Sequence, residues 1–250
     1  MALIDLKIFS ESLGMQTTVY VVIPQKSNQG EIGIKNNVKE GKFKSLYLLH
    51  GLSDDESIWL RRTSIERYAA QYGICVIMPS GARSFYADMK YGLKYYTYIA
   101  KELPSIIEGM FNVSSKREDR FIGGLSMGGY GAVKIALKEG RYAAVFGLSP
   151  VADVENPRFR ETLIPVFGGE IPTDEKLFDL STMHNNDAVK PRIYMTVGKD
   201  DFMYEDNVRL NKHFEGLDYD YTYIETEGGH DWAVWDNTVQ SALEWALKKE

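Results

Sequence analysis

From residue 44 onward, short apolar runs of strand length alternate with stretches of helical periodicity, and this rhythm constrains the fold more than any other feature of the chain. The strand-like runs are Lys44 to Leu49, Ile74 to Met78, Arg120 to Ile122, Ala143 to Leu148, Arg192 to Val197 and Tyr219 to Ile224. All are short and rich in branched or aromatic side chains, as buried strands are. Between them, Ser57 to Gln71 mixes Trp59, Ile65 and Tyr68 with Arg61, Arg62, Glu66 and Arg67, and stops just before Gly73, as a helix does. Ile99, Leu103, Ile106, Ile107 and Met110 share one helical face, with Pro104 marking a kink or a start. Met127 to Lys138 and the stripe Trp235, Val239, Ala242, Leu243 and Ala246 complete the set. Strand and helix in this order predict an α/β fold: a mostly parallel central sheet with helices on both faces. A ligand would then sit among the loops at the carboxyl ends of the strands.

No repeat or linker divides the 250 residues, so residues 1–250 are read as one domain, a usual size for such folds. The polar segment Gln25 to Lys42 reads as a surface connection between early strands. Val154 to Lys190, with Pro157, Pro165, Gly168, Gly169 and Pro172, breaks the alternation and reads as a small insertion or cap. The balance of 29 Lys and Arg against 35 Asp and Glu gives a net charge of −6. That balance lacks the basic footprint needed for nucleic acid or an anionic membrane. Charges interrupt the first ten residues, and no apolar run approaches the roughly 20 residues that span a bilayer. A soluble, cytoplasmic protein is the expectation. The single cysteine, Cys75, excludes a disulfide scaffold and sits in an apolar run, where a buried structural thiol is expected.

Gly124-Leu125-Ser126-Met127-Gly128 matches G-x-S-x-G and stands between a strand-like run and a helical one. This is the setting of a nucleophile elbow, where a serine at a sharp strand-to-helix turn is exposed above the sheet. Gly-Leu-Ser also occurs at residues 51–53 and 147–149, but only the middle copy has glycine two residues beyond the serine. A serine hydroxyl needs a base, most often histidine, oriented by a carboxylate. Of the four histidines, His50 ends a strand, His184 lies in a polar segment, and His213 lies in a charged helix. His230 falls between the last strand and the last helix, the position of the base in an α/β-hydrolase. Lys199-Asp200-Asp201-Phe202 offers two adjacent carboxylates after the run ending at Val197, and Asp153 is a third candidate. Residue spacing alone leaves Asp200 and Asp201 nearly tied. In such a fold the loop after the first core strand and the residue after the nucleophile donate backbone N–H groups to an oxyanion, here Leu52 and Met127. His50 would brace that loop. No H-E-x-x-H or C-x-x-C spacing and no phosphate-cradling P-loop is present, so chemistry without metal or cofactor is expected. Trp232 and Trp59 are candidate pocket walls, with plain core packing as the equal alternative, and Tyr86, Tyr91, Tyr95, Tyr96 and Tyr98 stand in the same balance.

Leu48-Leu49-His50-Gly51, Gly124 to Gly131, Lys199 to Phe202 and Gly228-Gly229-His230-Asp231-Trp232 together resemble the esterase family that includes esterase D and S-formylglutathione hydrolase. Trp59 to Thr63, Tyr95-Tyr96-Thr97 and Ser115 to Glu118 bring the chain nearest to its bacterial tributyrin-esterase and acetyl-esterase branch. The resemblance implies a serine carboxylesterase acting on small-molecule short acyl esters, with Ser126, Asp201 rather than Asp200, and His230 as triad. It also implies self-association into a homo-oligomer. Acetyl-xylan and feruloyl esterases share these motifs and are the alternative reading; an acyltransferase and a non-catalytic binding module stand further off. The glutathione-linked branch carries a cysteine near its active site and a differently built loop after His-Gly. Here Cys75 lies in a strand and the loop reads Ser53-Asp54-Asp55-Glu56-Ser57, which weighs against S-formylglutathione as the substrate.

Overall fold

The computed structural model describes residues 1–25, 37–38, 40–182 and 189–247; part of the Gln25 to Lys42 connection and of the 154–190 segment, including His184, lies outside them. Eight strands form one sheet: β1 (Ala2–Ser10), β2 (Met15–Ile23), β3 (Lys44–Leu49), β4 (Ile74–Pro79), β5 (Arg120–Leu125), β6 (Ala144–Leu148), β7 (Arg192–Gly198) and β8 (Tyr221–Thr226). Their spatial order is β1-β2-β4-β3-β5-β6-β7-β8. Strands β3 to β8 run parallel to one another, while β1 and β2 form an antiparallel edge, β2 pairing antiparallel with β4. This is an α/β-hydrolase fold, and its mixed, mostly parallel sheet is what the alternation predicts. Strand β8 begins two residues later than the apolar run at Tyr219 indicated.

Side chains of β3 alternate between two cores, as the twofold period of a strand requires. Leu46 and Leu48 pack with α1 (Ile58–Arg62), α2 (Ile65–Tyr72) and the C-terminal helix. Tyr47 and Leu49 face the opposite side, toward α3 (Tyr95–Thr97), α4 (Leu103–Met110) and α5 (Met127–Glu139). The segment after β6 contributes α6 (Arg160–Phe167) and α7 (Leu177–Leu180), followed by α8 (Tyr204–Glu215) and α9 (Trp232–Leu247).

One helical expectation changes in detail and a second gains one. The stretch from Ser57 to Gln71 is two helices, because the Thr63 hydroxyl donates to the Trp59 carbonyl (2.6 Å) and accepts from the Ile65 N–H (3.1 Å). A side chain there replaces the helical bonds and turns the chain. Pro104 falls in the first turn of α4, as expected of a proline that marks a start, and a π-helical turn, Tyr98–Glu102, joins α3 to α4 just ahead of it. The widened turn relieves the crowding between the proline ring and the preceding turn's carbonyl.

Candidate active site

Ser126 joins β5 to α5 with φ 53° and ψ −119°, a backbone conformation that L-residues adopt only under strain. The turn is tight enough to admit no side chain on either flank. A Cβ on Gly124 would sit 2.5 Å from the Gly128 backbone, and one on Gly128 would overlap the Leu49 and His50 carbonyls. Three backbone bonds hold the turn: Ser126 N–H to Leu148 O (2.9 Å), Tyr130 N–H to Ser126 O (3.0 Å) and Val151 N–H to Ser126 O (3.1 Å).

His230 reaches Ser126 from the loop ahead of α9. Its Nε2 lies 3.0 Å from Ser126 Oγ, and its Nδ1 lies 2.8 Å from Asp201 Oδ2. Asp201 follows β7 and is 5 % exposed. Its other oxygen accepts the Met203 N–H at 2.8 Å. Burial works to raise the Asp201 carboxyl, but the hydrogen bonds from His230, the Met203 N–H and Ser149 outweigh it and hold the group below its ordinary value. The neighbour Asp200 is exposed, and Asp153 is engaged elsewhere, with Arg209 at 2.9 Å. Of the three candidate acids, the structure therefore brings Asp201 to His230. His213 lies on α8 against Ser181 (2.7 Å), away from this cluster.

Leu52 and Met127 flank Ser126 from two directions. Leu52 lines the same cleft as Ser126, and Met127 is the first residue of α5, where a backbone N–H has no partner within the helix. Neither amide donates to any acceptor among the described residues. His50 is buried beneath them. Gly81 N–H donates to its Nε2 (2.8 Å), so Nδ1 carries the proton and donates to Gly51 O (2.7 Å). Burial pushes the imidazole below its ordinary value of 6.5, consistent with a neutral ring.

The cleft above Ser126 has a volume of about 440 Å³. Phe85, Val151, Phe159 and Phe202 form apolar walls, and Asp54, Arg83 and Trp232 stand along the remainder. Trp232 is in the lining as anticipated. Trp59 is not: it is fully buried, donates its indole N–H to Leu49 O (3.1 Å), and stands edge-on behind Trp232 at 5.2 Å. The tyrosine cluster stays out of the lining, with the Tyr86 hydroxyl donating to His50 O (2.8 Å).

Several contributors escape a motif reading. Phe85 reaches the cleft from a loop in which Ala82, Phe85 and Tyr86 all have positive φ, a conformation no sequence pattern signals. Phe159 comes from the 154–190 segment and meets Phe85 edge-on at 6.0 Å. Phe202, beside Asp201 in sequence, lies against the His230 ring at 4.6 Å; its adjacency to the acid was a usable signal. Ser149, from the third Gly-Leu-Ser copy, is among the groups that hold the Asp201 carboxyl below its ordinary value, and it accepts the Trp235 indole N–H at 3.3 Å.

A family model described as "Putative esterase" matches residues 10–246. The chain belongs to this esterase family. An acetyl esterase of Caldicellulosiruptor saccharolyticus is 31 % identical, with 99 % of each chain covered. Among solved structures, the fluorophosphonate-binding serine hydrolase FphF of Staphylococcus aureus is 33 % identical, with 99 % of each chain covered and a TM-score of 0.88. A second S. aureus structure, described as an S-formylglutathione hydrolase, is 34 % identical over 99 % of each chain with a TM-score of 0.85. The protein is accordingly a serine hydrolase of the esterase type, acting on small esters. Among the described residues, no helix is long and apolar enough to cross a membrane.

Proposed function

We propose that this esterase hydrolyses short acyl esters, acetyl to butyryl, with Ser126 as nucleophile, His230 as general base and acid, and Asp201 as the carboxylate that orients His230. The observation that carries the reading is the unbroken chain from Asp201 through His230 to Ser126, at 2.8 and 3.0 Å, on the floor of an open cleft. Ser126 Oγ attacks the ester carbonyl carbon while its proton passes to His230 Nε2. The carbonyl oxygen becomes an alkoxide and takes hydrogen bonds from the Leu52 and Met127 amides, which have no other acceptor among the described residues. Collapse breaks the bond to the alcohol, which leaves with the proton from His230. Water then attacks the acyl-enzyme, again giving its proton to His230, and the acid departs as Ser126 is restored. Asp201 stays ionised throughout, and its lowered carboxyl pKa suits that task.

The acyl range rests on the apolar walls of Phe85, Val151 and Phe159 around a modest volume. A second reading, an acetyl or hydroxycinnamoyl ester of a carbohydrate, draws on the rim: Asp54 and Arg83 offer partners for hydroxyls, and Trp232 offers a ring to stack on. Kinetics of the wild type and Ser126→Ala on acetyl, butyryl, octanoyl, feruloyl, acetylated-sugar and S-formylglutathione substrates test both readings. Preference for acetyl and butyryl alkyl esters supports the first, and preference for sugar or feruloyl esters moves the assignment to the second. Activity surviving in Ser126→Ala overturns both.

A further inference from the structure

At the end of β3, three successive carbonyls are each held by a side-chain donor. Leu49 O accepts the Trp59 indole N–H (3.1 Å), His50 O accepts the Tyr86 hydroxyl (2.8 Å), and Gly51 O accepts His50 Nδ1–H (2.7 Å). The Asp54 N–H adds a second, longer bond to Gly51 O (3.3 Å). The consequence at Gly51 follows from the planarity of the peptide. In a trans peptide unit the C=O and the following N–H point in opposite directions, so a Gly51 carbonyl held toward the His50 ring turns the Leu52 N–H away from it. That amide lacks an acceptor among the described residues, and Leu52 lines the cleft containing Ser126. The distance is short: a Cβ built on Gly51 would lie 3.8 Å from Ser126 Cβ.

We propose that His50 is a positioning residue whose Nδ1–H, by holding the Gly51 carbonyl, aims the Leu52 amide at the oxygen that becomes negative during acyl transfer. The inference rests on the reading of Ser126 as nucleophile and Leu52 as an oxyanion donor, and it assigns the aim of that donor to a side chain that never touches substrate. His50 has two separable duties. Nε2 accepts from Gly81 and ties down the strained loop carrying Phe85; Nδ1 donates to Gly51 and sets the amide. Its ring is 1 % exposed and its tautomer is dictated by the Gly81 N–H, which has only a proton to offer.

Asn and Gln divide these duties. An Asn amide nitrogen occupies the place of Nδ1 and keeps the donor to Gly51, whereas a Gln oxygen reaches the place of Nε2 and keeps the acceptor for Gly81. The experiment measures kcat and KM for p-nitrophenyl acetate, thermal midpoints, and fluorophosphonate labelling of Ser126 in the wild type, His50→Ala, His50→Asn and His50→Gln. In His50→Gln, kcat falls about 10²-fold, the effect of losing one oxyanion donor, with KM within about threefold, because the donor acts mainly in the transition state. In His50→Asn much of the kcat lost in His50→Ala returns, although its midpoint is no higher than that of His50→Gln. Equal losses of kcat in the Asn and Gln variants, or losses that follow the midpoints, would reduce His50 to a structural brace and overturn the proposal. A wild-type protein that is folded but unlabelled at Ser126 would overturn the underlying reading and this one with it.

Discussion

Lys134 is wholly buried on α5. Its Nζ lies 2.6 Å from Glu175 Oε2 in the 154–190 segment, 3.0 Å from Phe85 O, and over the Tyr130 ring at 4.8 Å. Burial pushes the Lys134 amine below the ordinary lysine value, against the pull of Glu175. This pair joins the helix that follows Ser126, the strained Phe85 loop and the segment that contributes Phe159. Its two halves differ in what remains when one is removed. Glu175→Gln leaves Lys134 with the Phe85 carbonyl, the Tyr130 ring and a neutral amide, so a charge stays buried without a counter-ion. That loss is about 3–5 kcal/mol, and at roughly 2–4 °C per kcal/mol for a chain of this length the midpoint falls by about 6–20 °C. Lys134→Met leaves Glu175 with Lys138 at 3.2 Å and the Tyr130 hydroxyl at 3.1 Å, and costs about 1–3 kcal/mol, the scale of a lost buried bond. In Lys134→Met with Glu175→Leu, Lys138 keeps Asp174 (2.7 Å) and Tyr130 keeps the backbone carbonyl of residue 175 (2.7 Å). The double variant is therefore more stable than Glu175→Gln alone. Urea and thermal unfolding followed by circular dichroism read all three. Equal losses in the two single variants, or a double variant as weak as their sum, would refute the reasoning.

Replacing Asp201 with Asn removes the partner that fixes the His230 tautomer, and kcat falls by about 10⁴-fold, while Asp200→Asn stays near wild type; steady-state kinetics that reverse this order would move the acid by one residue. Burial pushes the Cys75 thiol up to about 12, so Ellman's reagent reacts only as the protein unfolds, and rapid labelling of the native enzyme would show the thiol exposed. The His50 imidazole is held below 6.5 when folded, so the unfolded chain binds the extra proton first as the pH drops. Stability is complete above about 6.5 and declines as the pH falls toward the lowered folded value; denaturation curves for His50→Asn lack that component, and an unchanged pH slope in this variant would contradict the assignment.

Much of this arrangement was legible in the residue order, for reasons that differ by element. Strands β3 to β7 announced themselves because a sheet covered on both faces needs continuous apolar runs. The elbow was legible because Gly124 and Gly128 meet a steric demand that leaves no alternative. The choice between Asp200 and Asp201 was not, since adjacent residues on one turn differ only in which way the chain bends after Gly198. Trp59 looked as suitable for a pocket wall as Trp232, and only the bond from its indole N–H to Leu49 O separates the two. The positive φ values at Ala82, Phe85 and Tyr86 occur in a loop whose Tyr86 hydroxyl and Phe85 carbonyl bond to His50 and Lys134, distant in sequence. Local sequence carries no trace of those partners, so the loop that walls the cleft stayed invisible. The Gly-Leu-Ser copy at 147–149 was correctly excluded as an elbow, yet its serine supports Asp201.

The central claim is that Ser126 Oγ is the group that attacks the ester. Its most direct test is stoichiometric reaction of the folded protein with a fluorophosphonate, followed by mass spectrometry of the proteolytic peptides. The account predicts one adduct per chain, on Ser126, with hydrolysis of p-nitrophenyl acetate lost in proportion to labelling. An adduct on another residue, or full labelling of Ser126 with activity intact, would contradict it.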